Sequence, residues 1–193
     1  MPEIMLFPLS SVVLPEGKMR LRIFEPRYKR LVSQALKGDG TFGLCLFDGS
    51  LAPSGQELST VGTLAKITDF ESLEDGLLGI SVTGLKKFRI KRVRVEFDGL
   101  RLARVEWLPN WEVANLDHQS ESLSQHLGDI YRQFPDLGEL YQQRFFDDAS
   151  WVSQRWLEIL PITNQQFDTL AQQTDCYDAI EFLKRTLDNS YVQ

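Results

Sequence analysis

Cysteine and histidine are nearly missing from this chain: its 193 residues hold two of each. Cys45 and Cys176 lie far apart with no CxxC spacing, which removes the usual signs of a zinc knuckle or a disulfide framework, and both read as buried free thiols. His118 and His126, read as sharing one helix, would be separated by about 12 Å of rise, too far to ligate one ion. No metal and no cofactor are expected. Long apolar runs are also missing. Nothing approaches the roughly 18 residues that cross a bilayer, and the start, MPEIMLFPL, has no basic segment ahead of its apolar residues. The expectation is a soluble, cytoplasmic protein with no membrane partner.

Signatures of catalysis are equally scarce. A phosphate-cradling GxxxxGK[ST] needs its first glycine and its hydroxyl, and the nearest string, Pro15-Glu16-Gly17-Lys18-Met19, has neither. No GxSxG elbow accompanies a Ser-His-Asp set. The acid pairs have structural readings: Glu74-Asp75 precedes Gly76 and reads as a hairpin turn, and Asp147-Asp148 reads as the negative start of a helix. The chain is therefore expected to be no enzyme.

What is present is a core-forming composition, 42% hydrophobic, with a net charge of −6 that is unevenly placed. Residues 1–104 carry 16 Lys+Arg against 12 Asp+Glu, and residues 105–193 carry 5 against 15. Two differently built regions follow. In the first, apolar residues alternate over Ile4 to Phe7, Met19 to Phe24, Phe42 to Phe47, Val61 to Phe70, Leu77 to Val82 and Phe88 to Trp107. Between them stand Pro15-Glu16-Gly17, Asp39-Gly40, Asp48-Gly49, Asp75-Gly76 and Asp98-Gly99 as turns. Many short strands with few helices predict a mostly antiparallel barrel or sandwich. In KKFRIKRVRVEF, Phe88 and Ile90 are apolar at even positions, whereas Val93, Val95 and Phe97 are apolar at odd ones. Lys91 and Arg92 absorb the shift, the pattern of a β-bulge.

The second region has a helical period. Leu123, Leu127, Ile130, Tyr131 and Phe134 form one stripe, and Val152, Trp156, Ile159 and Leu160 a second that Pro161 ends. Thr163 and Gln166 make a capping box, and Asp175 caps a last helix whose stripe is Cys176, Ile180, Leu183 and Leu187. The fold class is thus α+β: residues 1–109 a β-barrel with one short helix, residues 110–193 a helical bundle packed on it. That short helix begins at Pro26, within Glu25-Pro26-Arg27. A proline suits a first helical turn, Glu25 sits near the positive end, and Tyr28, Leu31, Val32 and Ala35 supply the apolar stripe. Arg27 opposes the dipole and is expected to reach a carboxylate elsewhere in the fold.

Several strings resemble the N-terminal, substrate-binding domain of Lon proteases. LFPLSSVVLPEGKMRLRIFEPRYKRLV (residues 6–32) carries the Phe-Pro-Leu start, the Leu-Pro-x-Gly turn and the Ile-Phe-Glu-Pro-Arg-Tyr segment. Val61 to Ile67, Val82 to Ile90 and Leu157-Glu158-Ile159-Leu160-Pro161-Ile162 continue it, and it weakens between about 110 and 150. The resemblance implies a PUA-like barrel followed by a helical bundle, in a stand-alone form without the ATPase and peptidase domains. It implies a non-enzymatic module that binds unfolded protein or peptide segments, as an adaptor or holder, with a separate protease or chaperone as a further partner. Candidate binding residues are Phe24, Arg27 and Tyr28 from the motif, and Trp107 and Trp111 flanking the joint near Leu108-Pro109. Phe24 and Tyr28 can equally seat the helix on the barrel, and the tryptophans can equally glue the two regions. The alternative is an RNA-associated module, since PUA-like barrels can bind RNA. Its face would be the basic strand of Lys86, Lys87, Arg89, Lys91, Arg92 and Arg94, continued by Arg101 and Arg104.

Overall fold

A computed structural model describes residues 1–190; the final three lie outside it. Six strands are formed by Glu3–Leu9 (β1), Lys18–Ile23 (β2), Thr41–Phe47 (β3), Leu58–Ser72 (β4), Leu78–Val95 (β5) and Arg101–Trp107 (β6). Pro26–Lys37 (α1) lies between β2 and β3. Glu121–Gln133 (α2), Pro135–Gly138 (α3), Ala149–Ile159 (α4), Asn164–Ala171 (α5) and Tyr177–Ser190 (α6) follow the strands. The α+β class expected from the two periodicities is the one observed.

β1 and β3 run parallel; the other pairings are antiparallel. Neighbours run β2-β5-β4-β3-β1-β6, and β6 also pairs with β5, so the sheet curves strongly; the expected barrel is not closed, because β2 pairs only with β5 and remains an edge strand. Period-two alternation gives this sheet two cores. On its inner face Leu6, Cys45, Leu64, Phe88, Ala103 and Val105 form a small cluster. Gly43 and Gly62 line the space taken by the Phe88 ring, into which a Cβ at either position would run. Over β2, β3, β4, the end of β1 and the start of β5, the opposite face joins a larger cluster that continues through α1, the Val12-Val13-Leu14 segment and the helices after residue 120.

The β-bulge lies where the phase shift placed it. Ile90 pairs with Val105 and Arg92 with Arg104, leaving Lys91 as the extra residue. Val93 then returns to the inner cluster, as the pattern requires. Val95 and Phe97 do not continue it: they are 64% and 91% exposed, because β5 runs past the enclosed part of the sheet into a hairpin. The expected break between Leu77 to Val82 and Phe88 is also absent. β5 is one strand of 18 residues, and Gly84 lies within it because its backbone bonds the 14–17 turn: Glu16 N donates to Gly84 O at 2.9 Å and Gly84 N to Gly17 O at 2.8 Å.

Thr163 and Gln166 form the expected capping box, and Asp175 accepts from Tyr177 N at 3.1 Å. The two histidines do not share a helix. His118 precedes α2, where it meets the Glu121 carboxylate at 3.1 Å, and His126 lies inside α2.

Candidate functional site

The Glu25-Pro26-Arg27 joint positions the first candidate site. Glu25 is extended (φ −77°, ψ 136°), as a residue before proline favours, and Pro26 opens α1. Tyr28, Leu31, Val32 and Ala35 are buried, the four residues of the expected stripe. The Tyr28 ring stacks on Phe7 with centroids 4.0 Å apart, and burial raises its phenol above the ordinary value. Arg27 finds its carboxylate beside it: Nη2 donates to Glu25 Oε1 at 3.1 Å, Nη1 to Gly99 O at 3.2 Å, and the guanidinium lies over the Tyr28 ring. Expecting a distant carboxylate missed this because Glu25 does not cap the helix with its side chain and so is free to turn toward Arg27. Arg30 reaches the same hairpin through Glu96 and Asp98. α1 is thereby fixed across the β5–β6 turn, where Gly99 has a φ of +87°.

Beside this fixed first turn lies a groove of about 330 Å³. Phe24, Arg27 and Tyr28 line it, joined by Phe7 and Phe47, which sequence reasoning did not select, and by Arg101, which it had placed on the basic strand face. Phe24 is 63% exposed, so it is the member of the motif that does not serve the core. The Arg101 guanidinium faces the Phe47 ring at 5.8 Å. Phe47 and Arg101 come from β3 and β6, and no local pattern signals that they converge. β2, the edge strand, ends at this groove. The result is a largely apolar trough rimmed by three arginines, Arg22, Arg27 and Arg101, and by Glu25, beside unpaired strand backbone, an arrangement suited to extended chain.

Trp107 and Trp111 do not line this groove. Trp111 is buried, its Nε1 donating to Gln173 O at 2.7 Å, and the Lys87 ammonium stands 4.6 Å from its ring. Trp107 is exposed, edge-on to Phe88 and with the Lys86 ammonium 3.7 Å from its ring.

The basic strand does not present one free face. Lys87 is fully buried and donates to Ala171 O at 2.8 Å and Gln173 O at 3.3 Å, and burial pulls its pKa down to about 8. Arg89 and Lys91 share Glu106, whose carboxyl is held below its ordinary value chiefly by the Lys91 hydrogen bond. Arg94 engages Glu3 and Glu96. Arg92 stands opposite Arg104. Among the described residues, no group of three or more His, Cys, Asp or Glu is placed to hold a metal ion.

Curved sheet, helical region and open surface groove define a mixed α+β protein. The family model of the ATP-dependent protease La (LON) substrate-binding domain matches residues 3–187, and the chain belongs to that family. The match is to the substrate-binding domain and not to the peptidase or ATPase domain. Among solved structures, a Lon N-terminal domain protein from Xanthomonas campestris is 30% identical, with a TM-score of 0.74 over 95% of this chain and 97% of that one. The N-terminal domain of a Mycobacterium avium complex Lon protease is 14% identical with a TM-score of 0.60, covering 94% and 96%, and shares the fold. Among curated proteins, cereblon from Danio rerio is 31% identical over 105 residues and the Lon protease of Cytophaga hutchinsonii 35% over 108. These segments span 52% and 55% of this chain but only 24% and 12% of the two relatives.

Proposed function

We propose that this chain is a non-enzymatic module that holds extended segments of unfolded protein in the groove beside α1. The single observation that carries the reading is Phe24, a large apolar side chain in the motif that lies exposed in an apolar groove instead of joining the core. Its position at the end of edge strand β2 adds backbone groups to which an extended segment can pair. Tyr28 belongs to the groove floor and to the core at once. Trp111 is assigned to packing, and Trp107 to the wall of the sheet with Lys86 across it. Family membership supports protein segments as the ligand class.

The test is binding of a permanently unfolded probe, reduced and carboxymethylated α-lactalbumin, followed by fluorescence anisotropy at low and high salt. Phe24→Ala should weaken binding about tenfold, equivalent to about 1.4 kcal/mol. Higher salt should change the affinity little, since most of the contact is apolar. Unchanged affinity in that variant would remove the groove from the binding site.

A further inference from the structure

The outer face of β1, β6 and β5 carries charge that the fold itself leaves unbalanced. At its centre is a cleft of about 220 Å³ lined by Glu3, Arg92, Arg94, Leu102 and Arg104. Arg92 and Arg104 are directly opposed on adjacent antiparallel strands, and like charges in that position repel. Glu3 is the register partner of Arg104 on the other side, yet its carboxylate is engaged by Arg94, in a two-pronged contact at 2.7 and 3.1 Å. Among the described residues, Arg92 and Arg104 have no carboxylate within ion-pair distance. Both side chains are exposed.

The bulge is what places Arg92 there. Ile90 and Val93 point to the inner cluster, so the strand fits two residues, Lys91 and Arg92, between two inward positions. Regular alternation would have turned one of them inward. Bulges re-aim side chains in this way. Lys91 is matched by Glu106 at 2.8 Å; Arg92 is the surplus charge. No aromatic side chain lines the cleft, so it offers a base nothing to stack on.

From this geometry we propose that Arg92, Arg94 and Arg104 form a binding site for a small phosphate-class anion of about the size of pyrophosphate. Planar guanidinium groups pair with phosphate oxygens through two parallel N–H donors, which a row of three across two strands provides. Arg94, already anchored by Glu3 and Glu96, orders one wall, and Arg92 and Arg104 supply the free donors. The bound anion neutralises the repulsion between them, so occupancy stabilises the chain. The site is separate from the peptide groove and does not depend on it.

The experiment titrates inorganic pyrophosphate into the purified chain in 0.1 M sodium chloride by calorimetry, with melting temperature as a second readout. A single-stranded RNA 20-mer is titrated in parallel. Saturable pyrophosphate binding is expected, with a rise in melting temperature at saturation. Arg92→Gln and Arg104→Gln should each weaken binding at least tenfold and should melt no lower than the parent in the absence of pyrophosphate, since each relieves the repulsion. Arg132→Gln, on α2, should bind as the parent does. The proposal is overturned by absence of saturable binding up to 10 mM pyrophosphate, or by equal binding in the Arg92 and Arg104 variants. RNA binding that is tighter, steeply salt-dependent and lost in the same two variants would equally overturn it, replacing the small anion with a nucleic-acid backbone.

Discussion

At the scale of single residues, several charged side chains are buried that would be counted as surface from sequence. Lys87 sits in a run of basic residues, a setting that reads as solvated, yet its ammonium ends on two carbonyls at the end of α5 and over the Trp111 ring. Burial depresses its pKa from 10.5 to about 8. Between those values the folded chain has released a proton that the unfolded chain still binds, so this group's contribution to stability is fully present above pH 10.5 and is lost as pH falls through about 8. The stability of the parent relative to Lys87→Met should therefore rise by about 2 kcal/mol between pH 8 and 10.5, measured by urea unfolding of both proteins across that range. A gap that stays flat would mean that the two carbonyl bonds hold Lys87 charged throughout. Arg155 and Glu158 are a second case: the pair is buried, Arg155 Nη2 donates to Pro15 O at 2.7 Å, and burial pushes the Glu158 carboxyl up against the pull of the guanidinium. Gly17 lies against that carboxylate, where a Cβ would collide. The Leu-Pro-x-Gly turn and the Leu157-to-Ile162 string, distant in the chain, thus meet at one contact.

Elements whose pattern is local were legible. The α1 stripe, the Thr163 capping box and the bulge at Lys91 all follow from neighbours within a few residues, and each has the expected residues in the expected place. The short α3 and the irregular backbone of residues 110–118 had no periodicity to read; the latter is held by contacts such as the Asn115–Asp148 bridge. The groove was half legible. Phe24, Arg27 and Tyr28 come from one contiguous motif, whereas Phe47 and Arg101 reach it only through strand pairing. Element packing also depends on a clamp that no motif announced. Asp168 on α5 accepts from Thr60 N at 2.9 Å, Val61 N at 3.0 Å, the Thr60 hydroxyl and the Ser59 hydroxyl, all at the start of β4. Asp168→Ala should destabilise the chain by about 3 kcal/mol, because charge-assisted bonds to the Thr60 and Val61 N–H groups and to two hydroxyls are lost, leaving Ser59 and Val61 only the local bonds they make to each other. Chemical denaturation would show it as a lower midpoint with an unchanged slope.

At the scale of the whole molecule, we propose that the division at residue 109 separates two architectures but one folding unit. The β1–β2 connection buries Val12, Val13 and Leu14 in the cluster that also contains Tyr141, Trp151 and Leu157. Lys18 N donates to the Tyr141 hydroxyl at 2.9 Å, and Arg155 reaches back to Pro15. Residues 1–109 alone would expose this segment and leave Lys87 without its carbonyls. That fragment should show no cooperative melting transition by near-ultraviolet circular dichroism, while the full chain melts in one step; an independent, sharp transition for the fragment would show two separable domains. No helix among the described residues is long and apolar enough to cross a membrane.

The sequence by itself determined the two periodicities, the turn positions, the helix joint at Pro26 and the family, because each is written in residues close together along the chain. Only the tertiary structure decided which charges face water. Strand pairing set Arg92 opposite Arg104, α5 closed over Lys87, and α4 brought Glu158 against Gly17. A side chain's dielectric surroundings and partners come from segments tens of residues away, and alternation along one strand carries no information about them.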